Sequence, residues 1–365
     1  MDINAGVGGQ RFKLFDDRHK YILSLPQLFA THRVNNAENC GKFLFCPDDS
    51  MKTEYITDPL RAAEFIKNGG IAAFPTETVY GLGANVFDAQ AVAKIFEAKK
   101  RPADNPLIAH VSDGIEIQKL TSDLNKTATR FIDAFFPGPL TIVVKKSNEV
   151  PFIATAGLDT IGIRMPSLPL TQEFLRACST PVVAPSANIS GKPSPTTWKA
   201  VAEDLDGRID CILQGESTQI GLESTVVDCT AEIPVLLRKG AISLNELQKI
   251  VPTTVQYSAN SNHILRSPGL RHKHYSPVAM VVLIDRSLDI QQGMRIAYIG
   301  LQEPPADRIF RQIRVCGSVD EYAHALFEFF RVCDRAMVQT IYCQTIDETN
   351  IGAALMDRLR RASEG

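Results

Sequence analysis

The chain has 365 residues, 44% of them hydrophobic and 22% charged, with a formal net charge of −2. That is material for about two domains with a sizeable core, which excludes global disorder; the near-neutral balance excludes a strongly basic coat, so any anion site must come from local clustering. With 23 glycines and 21 prolines the composition is neither fibrous nor low-complexity.

Residues 1–50 mix charges, glycines and short apolar pieces without a period. They read as a poorly ordered N-terminal extension, with the regular chain, and a candidate true start, at Met51. Asp58 then caps a helix, Pro59 suits its first turn and Gly69 ends it, with Leu60, Ala63 and Ile66 expected on its inner face. Residues 71–74 form a short apolar run. Asp88 opens a helix in which Val92, Ile95, Phe96 and Lys99 follow a helical period. Residues 107–111 read as a strand, and Ser122 opens a helix stopped by Pro137 and Gly138. Residues 140–144, 160–164, 182–184, 209–213, 225–227 and 235–237 read as further strands, with a helix over 171–178. Short strands interleaved with helices indicate an α/β domain with a mixed sheet over 51–252.

Residues 253–277 are polar and rich in Ser, Asn, Pro and Gly, and read as a linker. A second, smaller α/β unit of doubly wound type, with three layers, is expected over 278–365. Its strands are 279–284, 295–300 and 338–343, and its helices run from Ser318 to Arg335 and over 351–361. The apolar run at 278–284 has seven residues, against the roughly 20 of a membrane span, and the charged N-terminus does not resemble a signal peptide. The eight cysteines contain no C-x-x-C pair and no metal-like spacing with the histidines, so reduced cysteines, a cytoplasmic location and no protein-bound metal are expected.

Five segments carry chemistry. In AAFPTETVYGLGANVFD (72–88) a strand runs into hydroxyl-bearing Thr76, Thr78 and Tyr80, then into a G-x-G that permits close backbone approach. Taken alone, this is equally a tight structural turn. In IFEAKKRPADNPLIAHV (95–111), Lys99, Lys100 and Arg101 complement a helix C-terminus. Pro102 and Pro106 also stiffen a loop able to aim Arg101 and Asn105, and a guanidinium fork suits phosphate oxygens. His110 within a strand is more often a satisfied core residue than a ligand contact. Arg164, inside the apolar strand TIGIR, must be paired or face a cavity; an ion pair and an anion site both stay open. In VVAPSANISGKPSPT (182–196) a strand delivers Ser186, Asn188 and Ser194 to a loop. In GLESTVVDC (221–229) with LLRKG (236–240), Ser224 leads one strand and Arg238 ends the next.

PTETVYGLG, K-x-R-P-x-x-N-P-L, PSAN, STVVD and L-R-x-G, in this order, resemble the threonylcarbamoyl-AMP synthase family, whose catalytic module is the YrdC-like domain. SPGLRHKHYSP and IGAALMDRLRRA resemble its long, two-domain form. The resemblance implies a YrdC-like domain with a twisted mixed sheet and a concave cleft. It implies a nucleotidyltransferase that condenses L-threonine, bicarbonate and ATP to threonylcarbamoyl-AMP and pyrophosphate, for threonylcarbamoyladenosine modification of tRNA by a downstream transferase machinery. Threonine would be held by Thr78, His110, Arg164, Ser224 and the backbone of Ala184. ATP would be held by Arg101, Asn105, Ser186, Asn188, Ser194 and Arg238, with Thr160 a weaker carry-over. Lys99 would meet the phosphates, so Lys99 and Arg101 are the catalytic candidates. His274 and Tyr275 of the linker would reach back over the nucleotide as a lid. Mg²⁺ would arrive with ATP rather than in an acidic cage. The competing expectations are an RNA-binding or regulatory module of the same fold without the reaction, and a carbamoyl-adenylate step in metalloenzyme maturation, which lacks its companion segments here. Weak RNA contact is compatible with the first two readings.

Overall fold

The structure is a computed structural model that describes residues 52–121, 123–257, 275–285, 290, 293 and 295–364. The expected extension at 1–50, the helix start at Ser122, His274 and most of the linker lie outside them.

The first sheet has eleven strands: β1 (Glu54–Ile56), β2 (Ala72–Phe74), β3 (Gly81–Asn85), β4 (Ile108–His110), β5 (Leu140–Lys145), β6 (Thr160–Arg164), β7 (Val182–Ala184), β8 (Cys211–Leu213), β9 (Thr225–Asp228), β10 (Val235–Arg238) and β11 (Val255–Gln256). Their order is β1-β8-β2-β3-β7-β4-β6-β5-β9-β10-β11, with parallel and antiparallel pairs mixed. β3 lies where the G-x-G also suits a tight structural turn. It is a strand because a Cβ on Gly83 would lie 2.6 Å from Val182 Cγ1 and 2.9 Å from the Phe74 ring, so only glycine lets these strands close up.

Helices cover both faces. On one, α1 (Pro59–Lys67) and α5 (Pro169–Cys178) pack on Ala72, Phe74, Val182 and Leu213. Asp58 caps α1 through the Leu60 N–H, as expected, but Ala62, Ala63 and Ile66 form its buried face. Leu60 is 56% exposed, because at the first turn its direction points away from the sheet. On the other face, α2 (Ala89–Lys99), α3 (Gly114–Leu120), α4 (Lys126–Phe135), α6 (Trp198–Leu205) and α7 (Leu244–Ile250) enclose the main core. The α4 cap is Asn125, whose side chain accepts from Ala128 N.

The C-terminal unit has a four-stranded parallel sheet, ordered β12-β15-β13-β14. Its strands are β12 (Met280–Ile284), β13 (Ile296–Gly300), β14 (Gln312–Val315) and β15 (Thr340–Gln344). Ser318 caps α8 (Val319–Arg335), and α9 (Ile351–Ser363) follows. Both helices pack on the face carrying Ala297 and Ile299. The opposite face, with Ile296 and Tyr298, is covered among the described residues by Ile290 and Phe310, where a third helical layer was expected. No helix of the described residues is long and apolar enough to cross a membrane. The six described cysteines are buried and unbridged.

Strand alternation places the cleft. In β4, Ala109 enters the main core while Ile108 and His110 face the other way. The register aligns Ile108 with Ala184 and Gly162, and His110 with Arg164. Because β4 and β7 are antiparallel neighbours, the cleft runs across a sheet face.

Candidate active site

The cleft is a partly open hollow lined by both polar and apolar groups. Thr78, Arg101, His110, Arg164, Ala184, Ser186, Asn188, Ser194, Ser224, Arg238 and Tyr275 all line it. Three guanidinium groups from loops and strands far apart in sequence thus converge on one hollow.

One end is built on the loop after β2. Thr76 Oγ1 donates to Val79 O at 2.7 Å and accepts the Thr78 and Val79 amides, which folds the loop into a hydroxyl-stabilised turn. Its single proton is committed there, so in the 2.8 Å pair with Thr78 it is Thr78 that donates. Thr78 Oγ1 in turn accepts from Arg164 Nη1 at 2.7 Å. Arg164 Nη2 pairs with Glu77 Oε1 at 2.7 Å without hydrogen-bond alignment, both side chains being at most 5% exposed. Arg164 Nε donates to Gly138 O at 3.3 Å. Arg164 is thus ion-paired and at the same time lines the cleft.

His110 stands beside this group, edge-on to Phe74, with Nδ1 3.1 Å from Ile108 O. A carbonyl only accepts, so Nδ1 carries a proton. Burial, and then the Arg164 charge, push the imidazole pKa down to about 3, so the ring is neutral near pH 7.

The other end is built from three loops. Ser186 Oγ donates to Asn188 Oδ1 at 2.5 Å, and Asn188 Nδ2 donates to Ile189 O and Lys192 O. Ser194 Oγ donates to Glu223 Oε1 at 2.5 Å. Arg238 donates from Nε to Ser224 O and from Nη2 to Ser224 Oγ, both at 3.0 Å, while Ser224 Oγ and Thr141 Oγ1 lie 2.8 Å apart. Arg101 Nη2 donates to the carbonyls of Asn105 and Pro106, leaving its buried Nε without a partner among the described residues. Burial pushes the Arg101 pKa down to about 10 and lowers that of Arg238 as well. Both remain cations held partly desolvated, an arrangement that favours an incoming anion.

Three expected residues lie elsewhere. Lys99 is 1% exposed and does not line the cleft. Its ammonium is held by Ser186 O, Asn188 O and, more weakly, Asn188 Oδ1, so in this structure it supports the 186–188 loop. Burial and then Arg101 lower its pKa strongly. Asn105 lines an adjoining cavity with Arg101 and Lys192. Its buried Nδ2 has no partner among the described residues. Thr160 lies on the cleft side of β6 but four residues from Arg164, about 13 Å along the strand, opposite Lys145. Sequence reasoning missed Glu77, Glu223 and Arg358, whose signal, a charge beside an apolar or glycine-rich stretch, is too common to select them. Arg358 is fully buried in α9 and bonds Glu223 Oε2 at 2.9 Å.

Residues 64–240 match a family model described as telomere recombination, and residues 242–364 match one described as threonylcarbamoyl-AMP synthase, C-terminal domain. The chain is 42% identical over 318 residues to a threonylcarbamoyl-AMP synthase of Pyrococcus abyssi, covering 83% of this chain and 93% of that protein. It is 38% identical over 320 residues to one of Bacillus subtilis, covering 84% and 92%. The crystal structure of P. abyssi Sua5 complexed with L-threonine superposes with a TM-score of 0.77 at 37% identity, covering 86% of this chain and 97% of that one.

Proposed function

This chain belongs to the threonylcarbamoyl-AMP synthase family, and from that membership we infer how its cleft works. The chain is an enzyme that makes threonylcarbamoyl-AMP, with L-threonine and ATP as substrates. We assign it to the nucleotidyltransferases, with bicarbonate as the third substrate. Threonine occupies the end formed by Thr78, His110, Arg164, Ser224 and the Ala184 backbone. ATP occupies the end formed by Arg101, Ser186, Asn188, Ser194 and Arg238, with Tyr275 over it and Asn105 in the adjoining cavity.

The threonine amine and bicarbonate condense to a carbamate and water. A carbamate oxygen then attacks the α-phosphorus, the bond to the β-phosphate oxygen breaks, and pyrophosphate leaves with its electron pair. No protein nucleophile is needed. Catalysis is positioning plus charge neutralisation, and the two ends of one cleft provide both. Neutral His110, its one ring proton held by Ile108 O, can accept a hydrogen bond at Nε2 without repelling an ammonium, while Arg164 attracts the threonine carboxylate. Arg101 and Arg238 offset negative charge that grows on the phosphates. Lys99 serves by fixing the 186–188 loop.

Mg²⁺ fits as a passenger of the nucleotide. No cluster of three acidic, histidine or cysteine side chains suited to a metal exists among the described residues. Glu223, a carboxylate in the cleft lining, is committed to Ser194 and Arg358. The hydroxyls of Ser186 and Ser194 are hard oxygen donors that would hold such a cation through its phosphates and waters. When bound it would supply charge neutralisation on the leaving pyrophosphate. Transfer of the product to tRNA falls to a partner enzyme, and contact of this chain with RNA is at most weak.

The observation that carries the reading is the convergence of Arg101, Arg164 and Arg238 on one cleft beside Thr78 and His110. A pure RNA-binding module would have no task for the buried threonine-side group. The test is pyrophosphate release from ATP, threonine and bicarbonate. Omitting threonine or bicarbonate abolishes it; equal release without threonine rejects the substrate assignment. Tyr275→Ala raises KM for ATP if the ring acts as a lid, and leaves it unchanged if it does not.

A further inference from the structure

We infer that Arg358, in the last helix of the C-terminal unit, is a positioning residue for the nucleotide half of the cleft and acts through Glu223. The inference rests on the assignment of Ser194 and Arg238 to the ATP end. The Arg358 side chain is 0% exposed and that of Glu223 8%. Arg358 Nε donates to Glu223 Oε2 at 2.9 Å, Nη2 to Lys239 O at 3.0 Å and Nη1 to Asp357 Oδ2 at 2.7 Å. The other Glu223 oxygen holds the Ser194 hydroxyl at 2.5 Å. Lys239 follows Arg238 in the chain. The Lys239 carbonyl anchors the guanidinium, and the route from Arg358 to the nucleotide end is the carboxylate that aims Ser194.

A second arginine of the same unit braces the same loop from the other side. Arg331, in α8, donates from Nη2 to Pro193 O at 2.6 Å and to Asp204 Oδ2 at 2.9 Å, and Asp204 Oδ1 pairs with Lys192 at 2.9 Å. The 192–194 stretch, with Lys192 and Ser194 in the cleft lining, is thus held by the C-terminal unit at both ends.

Adhesion between the two parts of the chain does not require Arg358. Val79, Leu222 and Tyr275 already share an apolar cluster with α8 and α9, and Tyr275 stacks on Phe327 with ring centroids 5.4 Å apart. A buried ion pair contributes little net stability relative to an apolar replacement of both partners, whereas it fixes directions that an apolar contact does not. The carboxylate belongs in its charged form: burial raises the Glu223 pKa, but Arg358 and Arg238 outweigh it and the net shift is downward.

The experiment compares Arg358→Met, Glu223→Gln and the double variant in the full chain, by pyrophosphate release and thermal unfolding. Methionine keeps apolar packing under the Tyr275 ring, whose centroid lies 5.2 Å from the guanidinium. Each single variant should raise KM for ATP by about tenfold or more, with KM for threonine within about twofold. The double variant should match Glu223→Gln within about twofold, since Arg358 has nothing left to position. Where Arg358→Met alone fails to fold because it strands a buried carboxylate, the double variant, which strands none, still gives the comparison. An unchanged KM for ATP in a folded single variant, a threonine KM rising in step, or a further rise from Glu223→Gln to the double variant would each overturn the inference. Failure of the underlying assignment is separate: it shows as Ser194→Ala and Arg238→Ala leaving KM for ATP unchanged.

Discussion

Replacing Arg164 with methionine tests the threonine end of the cleft through two readouts that must part company. Arg164 and Glu77 are paired at 2.7 Å with side chains 5% and 4% exposed. Truncating the arginine therefore leaves a carboxylate buried and uncompensated. Breaking such a pair costs about 3–5 kcal/mol, and the lost donor to Thr78 is part of that cost, not an addition to it. At about 2–4 °C per kcal/mol for a domain of this size, unfolding should come roughly 6–20 °C earlier. Adding Glu77→Gln removes the stranded charge, so the double variant should regain most of the stability. It should not regain threonine binding, because the guanidinium that bonds Thr78, and that we propose to meet the substrate, is still missing. Thermal unfolding and the threonine KM in pyrophosphate release provide the two measurements. A single variant within about 1 kcal/mol of the parent would refute the burial argument. A double variant with parental threonine KM would refute the substrate role.

Lys99→Met should raise KM for ATP by about tenfold and leave threonine within about twofold, since its ammonium holds only the 186–188 loop; equal effects on both substrates would reject that placement. Thr160→Val should leave KM for ATP unchanged, because the residue lines neither the cleft nor the cavity beside Arg101; a marked rise would return it to the nucleotide site. His110 makes the fold acid-sensitive. Its folded pKa, about 3, lies below the unfolded value of about 6.5, so the unfolded chain binds the extra proton between them. Stability is fully present above pH 6.5 and is lost on acidification toward pH 3, by at most about 1.4 kcal/mol per pH unit from this group. His110→Gln should flatten that part of a denaturation-against-pH series, and an unchanged slope would show that other groups set it.

Local chemistry was legible because it is local. The caps Asp58, Asp88 and Ser318 satisfy amides two or three residues away, and their helices follow as the sequence predicts. The bounds of the β6 and β7 segments, 160–164 and 182–184, agree with the structure. The ordered motifs identify the family, and most residues carried over from it do line one cleft. Lys99 was misplaced because a lysine at the end of an amphipathic helix looks the same whether it points to solvent, to a phosphate or into a loop. Only the packing of α2 against the 186–188 loop, 87 residues on, decides it.

What the sequence by itself determined, then, is the alternation of elements and the inventory of hydroxyls and guanidiniums, since periodicity and capping act over a few residues. What only the tertiary structure decided is which charge faces which. Arg164 meets Glu77 across 87 positions, and Arg358 meets Glu223 across 135. The energy of burying a charge depends on a partner that folding delivers from elsewhere in the chain, and no residue carries that partner's address in its own neighbourhood.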